Sequence, residues 1–177
     1  IVEHIKRRRV HTFLLTNGLA TDASYLQQLK RSGLDSILFH VDGGQNRPDL
    51  PAPPTFADVR RRLMELTRMA ADCGLDVSIS VTLLGESTDW LARLSGFFFE
   101  SPHIGFLYLA RGIDPRNLPG DTSEVNDPKG PEEMDMERLQ SFFREEYELE
   151  PFGYIPATGG LRPVWISYFI PIVYRTG

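Results

Sequence analysis

Four short apolar runs punctuate the first 110 residues of the chain, and all are rich in branched or aromatic side chains. Runs of this length and composition, bounded by polar and glycine residues, favour β-strands. The runs are VHTFLLT (10–16), SILFHV (36–41), DVSISVTLL (76–84) and IGFLYLA (104–110). We therefore expect four strands in this part of the chain.

Apolar positions at helical spacing lie between the runs. Val59, Leu63, Leu66 and Ala70 follow the three- and four-residue spacing of a buried helix face. Asp22 and Thr55 are suitable N-cap residues, and Gly33 and Gly74 are suitable helix ends. The sequence predicts helices that start after Asp22, after Thr55, at Ser87 or Thr88, and near Glu132 with an end at Tyr147.

Strands that alternate with helices are typical of parallel sheets with right-handed crossovers. An open doubly wound sheet and a (β/α) barrel both fit this order. In either architecture the chemistry lies at the carboxyl ends of the strands. We expect the four strands to be parallel neighbours in chain order.

The composition is that of a globular domain with its own core: 177 residues, 41% hydrophobic and 24% charged. A net charge of -5 gives no basic surplus, so we expect no nucleic-acid partner, and the basic run 6–9 fits a solvated helix end. One cysteine, Cys73, allows no disulfide within the chain and favours a reducing, cytoplasmic compartment. Without a starting Met, we expect a piece of a longer protein.

The longest apolar stretch is VWISYFIPIV (164–173). It is too short to span a bilayer and contains Pro171. We interpret it as a buried strand, with membrane contact as the alternative.

Polar residues gather at the strand ends. Strand alternation places His40 and Asp42 on one face, and likewise Ser78, Ser80 and Thr82. The hydroxyl stripe indicates a ligand groove or a polar barrel interior, or else hydroxyls bonded to neighbouring backbone. His40 and Asp42 alone would not complete a metal site, which needs at least three ligands, and also fit ligand binding or a structural hydrogen bond.

Three segments together resemble the second half of a radical S-adenosylmethionine (radical SAM) domain. They are TNGLATDASYLQQLKRSGLDSILFHVDGG, GLDVSISVTLLGESTDWLARL and IGFLYLARG. The resemblance covers residues 10–112. The FHVDG strand and the apolar C-terminal region resemble the tetraether-synthase-like branch of that family.

The resemblance implies an α/β fold, a partial (β/α) barrel in which SAM lies across the carboxyl ends of the strands. It divides the chain into a partial radical SAM domain (1–112) and a downstream loop, helix and apolar tail (113–177). A [4Fe-4S] cluster in the complete protein would cleave SAM to a 5'-deoxyadenosyl radical, which abstracts hydrogen from a small-molecule or lipid substrate.

Seven residues match family positions near SAM. Thr16 corresponds to the position beside the methionine part, and His40 and Asp42 to polar positions that face the SAM cavity. Two further pairs match positions near the ribose and carboxylate and near the adenine, respectively: Ser80 with Thr82, and Leu109 with Arg111. Because the carboxyl ends of parallel strands open on one face, we expect six side chains to converge on one cavity: Thr16, His40, Asp42, Ser80, Thr82 and Arg111.

The chain departs from the family at the cluster ligands. The three-cysteine loop of the family is absent, and Cys73 cannot supply three thiolates. We therefore expect the chain alone to hold no cluster and to be inactive. Two alternatives stay open: a non-enzymatic, degenerate (β/α) binding module, and another (β/α) barrel enzyme, such as a hydrolase using His40 and Asp42.

Overall fold

The computed structural model describes residues 1–41, 47–83, 88–111, 136–150, 153–156 and 163–169, the last two ranges through their backbone. The helices are α1 (Val2–Lys6), α2 (Ala23–Arg31), α3 (Phe56–Asp72), α4 (Thr88–Phe99) and α5 (Met136–Tyr147). The strands are β1 (Phe13–Thr16), β2 (Ser36–His40), β3 (Asp76–Leu83), β4 (Ile104–Arg111), β5 (Gly153–Pro156) and β6 (Pro163–Phe169).

The first four strands form a parallel sheet in chain order, as predicted. The described sheet has the order β1-β2-β3-β4-β6-β5, and each of the first three pairings is parallel. Each parallel pair is joined by a helix, because a parallel connection must return the chain to the starting edge of the sheet. The protein is therefore a mixed α/β fold built on a four-stranded parallel sheet.

The last two strands run the other way. β6 pairs antiparallel with β4, and β5 pairs antiparallel with β6. The predicted strand within 164–173 is thus present at 163–169, whereas β5 was not predicted. Its four residues, GYIP, end in proline and carry too little alternation to stand out.

One face of the sheet packs against the helices. The core joins strand residues such as Phe39 and Ile79 to Leu26 of α2, Leu63 of α3 and Leu91 of α4, all fully buried. Phe143 of α5 belongs to the same core. Burial of a large apolar side chain contributes about 1.5–3 kcal/mol, so this helix-covered face supplies most of the driving force for folding.

Local signals fix the helix boundaries. The Asp22 side chain accepts a hydrogen bond from the Tyr25 N–H at the start of α2. Thr55 and Asp58 form a capping box at the start of α3. Both N-caps were predicted, and they satisfy backbone donors that the first helical turn leaves without partners.

Because side chains alternate along a strand, the other side of the sheet carries a different set of residues. We call it the reverse face; it carries Leu38, His40, Ser78, Ser80, Thr82 and Tyr108. Phe13 and Leu15 extend this face onto β1, where both are more than half exposed. Among the described residues, no helix is long and apolar enough to cross a membrane.

Candidate functional site

A histidine between two hydroxyls marks the carboxyl half of the reverse face. His40 Nδ1 lies 3.2 Å from Ser80 Oγ, and His40 Nε2 lies 3.4 Å from Thr82 Oγ1. All three residues are half-buried. The imidazole is thereby held in one orientation by the neighbouring strand.

The sheet register explains this triplet. His40, the last residue of β2, pairs with Ser80 of β3, and Thr82 lies two residues further along the same side of β3. Side chains that pair across parallel strands share a face, as do residues two apart on one strand. The prediction that His40, Ser80 and Thr82 share a face is therefore confirmed.

The prediction that Thr16 converges on one cavity with His40, Ser80 and Thr82 is wrong. Thr16 pairs with Phe39, and Leu109 pairs with Val81, so both lie on the helix-covered face. The hydroxyl of Thr16 accepts a hydrogen bond from the Gly18 N–H at 3.1 Å. Alternation fixes faces only within a strand, whereas the phase between β1 and β2 is set by packing of Leu14 into the core.

The remaining two candidates cannot be placed as side chains. Asp42 lies outside the described residues. Arg111 ends β4 and pairs with Leu83 through the backbone, but its side chain also lies outside the described part. The structure thus brings together three of the seven predicted residues and separates two from them.

A buried arginine at the same edge was missed by sequence reasoning. The Arg47 side chain is only 2% exposed, and its guanidinium donates to both carboxylate oxygens of Asp49 at 2.9 and 2.7 Å. It also donates to the carbonyl oxygen of Asn17. Arg62 of α3 donates to Asp49 at 2.8 Å and to the Gly18 carbonyl at 3.2 Å.

This network holds the loop after β1 against α3. The hydrogen bond from Arg47 keeps the pKa of the Asp49 carboxyl below its ordinary value, and the charge of Arg62 acts in the same direction. The Asp49 carboxylate therefore stays ionised at neutral pH. An Arg-x-Asp loop segment carries no periodic signal, so only the tertiary contacts reveal the network.

Gly18 shows how tightly this loop is fitted. Its φ is +72°, and a Cβ placed there would lie 2.6 Å from Leu66 Cδ1. Only glycine meets both demands without strain. The Thr-Asn-Gly segment at the end of β1 is therefore shaped by close packing on α3.

Neither the cluster nor another metal site fits the described residues. They contain no group of three or more His, Cys, Asp or Glu side chains placed to hold a metal ion. Cys73, the one cysteine of the sequence, follows α3 near the amino end of β3, at the opposite end of that strand from Ser80 and Thr82. It lies 4.0 Å from the Ala23 carbonyl oxygen. A [4Fe-4S] cluster would need its thiolates from other residues.

The chemistry of SAM is compatible with the His40 triplet. SAM presents a carboxylate and two ribose hydroxyls, which pair with hydroxyl donors and acceptors and with an imidazole. Ser80 and Thr82 supply hydroxyls on one half-buried surface, and the His40 ring, which contacts both, orients them. The triplet fits the polar half of such a ligand.

No protein-family model matches the chain, and a search of curated proteins finds no match to it. The likeness to radical SAM domains therefore depends on the three segments quoted above, and the function it implies is a proposal.

Proposed function

We propose that this chain supplies the SAM-binding surface of a radical SAM enzyme, with the cluster ligands contributed by residues outside this sequence. The observation that carries the proposal is the His40 triplet on the carboxyl half of the reverse face. In the complete enzyme the cluster would supply reductive cleavage of SAM and a radical that abstracts hydrogen from a small-molecule or lipid substrate.

The sheet topology supports a partial (β/α) barrel. Strands β1 to β4 follow one another without a change of direction, and the helices between them contribute to one core on one side. A doubly wound sheet would instead place helices on both sides. In a partial barrel the reverse face is the interior, and its carboxyl half is where ligands bind.

Within this proposal each residue of the triplet has a definite part. Ser80 and Thr82 each contact one ring nitrogen of His40, so the imidazole and the two hydroxyls hold one another in place. The Ser80 and Thr82 hydroxyls, oriented by the ring, then pair with the carboxylate and a ribose hydroxyl of SAM. The Arg47 network fixes the adjoining loop end, and a cytoplasmic, reducing setting suits the single thiol.

The test is isothermal titration of the chain with SAM. Wild type is expected to bind, and His40→Ala is expected to weaken binding by roughly 1 kcal/mol, a severalfold change in Kd. The matched control is His4→Ala, the same substitution on the exposed face of α1. It is expected to leave SAM affinity unchanged.

Two results would overturn the proposal. Absence of SAM binding by the folded wild-type chain would remove its basis, and equal affinities of the His40→Ala and wild-type chains would show that the triplet is not the SAM surface. Binding of adenosine with the same affinity as SAM would instead favour the non-enzymatic binding module, because the methionine part would then contribute nothing.

A further inference from the structure

A cavity of about 740 Å³ lies at the amino-terminal edge of the sheet and reaches onto the reverse face. It includes none of His40, Ser80 and Thr82. At one end it reaches Ser36, four residues before His40 on β2, and at the other end Tyr108, which pairs in register with Ser80. The cavity and the His40 triplet therefore adjoin on one sheet and share no residue.

Aromatic rings form much of the cavity wall. Phe106 and Tyr108 of β4 lie with ring centroids 4.9 Å apart, and Phe13 of β1 adds a third ring that is 53% exposed. Aromatic faces bind other planar rings through offset or edge contacts. A volume between roughly 300 and 1,000 Å³ is usual for small-molecule sites. The wall thus favours a flat aromatic ligand.

One polar group of the wall, the His103 ring, presents a hydrogen-bond acceptor. Thr67 donates its single hydroxyl hydrogen to the Leu63 carbonyl at 2.7 Å, so it must accept at 3.0 Å from His103 Nε2. Burial, and then the charge of Arg68, lower the pKa of His103, which keeps this ring neutral. Its Nδ1 is therefore an acceptor.

The charge of the wall also favours a ligand that donates hydrogen bonds. Asp76, at the start of β3, is exposed and pairs in register with Ser36 on the reverse face. The described lining contains this carboxylate and no lysine or arginine. A carboxylate and a neutral imidazole favour a ligand with N–H donors and disfavour an anion.

We infer that this cavity is a binding site for a planar aromatic amine or amidine, neutral or cationic, beside the SAM surface and sharing none of its residues. Phe13, Phe106 and Tyr108 contact the ring, and Asp76 accepts from the N–H groups at the rim. The inference does not depend on the proposed function, since none of its residues belongs to the His40 triplet.

The probe is 4-aminobenzamidine, whose binding is followed by fluorescence titration of the full chain. Its anionic counterpart, 4-aminobenzoate, has the same ring with a carboxylate in place of the amidinium, and 4-aminobenzamide is the neutral version. We expect the amidine to bind and the benzoate to bind at least about fivefold more weakly, because Asp76 repels it. Equal binding of the two would overturn the inference.

Two pairs of variants locate the site. Asp76→Asn should weaken the amidine about three- to fivefold and leave the neutral amide unchanged, because only the cation gains from the carboxylate. Phe13→Ala should weaken both ligands about fivefold, whereas Phe99→Ala, which truncates an exposed phenylalanine of α4 outside the cavity, should weaken neither. Equal effects of the two phenylalanine variants would contradict the assignment.

Competition with SAM distinguishes the two sites. Saturating SAM should leave the amidine titration unchanged, and so should His40→Ala. Displacement of the probe by SAM would show that cavity and triplet belong to one site, which would overturn the inference while leaving the proposed function standing.

Discussion

His40 Nδ1 lies 3.2 Å from Ser80 Oγ across the β2–β3 pairing, although forty residues separate them along the chain. Thr82 provides a second contact at the other ring nitrogen. The pairing of β2 with β3 therefore determines the orientation of the His40 ring.

The first prediction concerns Ser80. If the triplet binds SAM, Ser80→Ala removes one hydrogen bond that orients His40, and SAM affinity should fall by about 0.5–1.5 kcal/mol, or two- to tenfold in Kd. Isothermal titration measures the change. The matched control is Ser36→Ala, the same truncation at the amino end of β2, where the hydroxyl contacts His11; an equal loss there would argue against a local effect at His40.

The second prediction concerns Gly18. Gly18→Ala forces a side chain into a positive-φ residue and against Leu66, so the free energy of unfolding should fall by roughly 1–3 kcal/mol. Gly96→Ala is the control, because a Cβ at that helical position in α4 would meet no atom within 4 Å. It should stabilise the protein by roughly 0.5–1 kcal/mol. Urea unfolding of both variants checks the contrast, and a loss of stability in both would be inconsistent with it.

The third prediction concerns Asp49. Asp49→Ala leaves the nearly buried Arg47 guanidinium without this carboxylate, and stability should fall by about 3 kcal/mol. Glu150→Ala breaks an Arg–carboxylate pair of similar geometry, with Arg144, in which both side chains are more than half exposed. Exposed pairs contribute little, so chemical unfolding should show a much smaller loss. Similar losses in the two variants would show that burial of Arg47 is not the cause.

The fourth prediction concerns acid stability and Asp35. The hydrogen bond from Lys6, followed by that from the Thr12 N–H, holds the pKa of the Asp35 carboxyl well below its ordinary value. A carboxyl with a lowered folded-state pKa stabilises the protein above its unfolded pKa of about 3.9. That contribution is lost as the pH falls through the folded-state pKa.

Asp35→Asn should therefore be less stable than wild type at pH 7, and the gap should narrow on acidification below about pH 4. Lys6→Met removes the largest cause of the shift and should reproduce part of the gap. Denaturant unfolding across this pH range gives the comparison. A gap that stays constant down to pH 2 would mean that the carboxylate charge is not responsible.

Much of the fold follows from local patterns. The four apolar runs became β1 to β4, and Asp22 and Thr55 cap the helices that they were predicted to cap. Alternation of strands and helices determined the parallel order, because a parallel pair needs a crossover. These features depend on neighbours within a few positions of each residue, which is why one sequence is enough to predict them.

The candidate site was predictable in part, for the same reason. Two-residue alternation along β3 and the place of His40 at the end of β2 put three polar side chains on one face. Alternation could not predict on which face Thr16 lies, because the face that a residue of β1 shares with residues of β2 depends on which residues pair. Here Leu14 packs into the core and Thr16 follows it onto the helix-covered face.

The sequence by itself determined the type, order and direction of the first four strands, since hydrophobic period and capping act over short distances. Tertiary structure alone decided the phase between β1 and β2, the antiparallel return of β6 beside β4 and the contacts of Arg47 with Asn17 and Asp49. Each depends on packing and hydrogen bonding between segments far apart in the chain, and no local pattern specifies which segments meet.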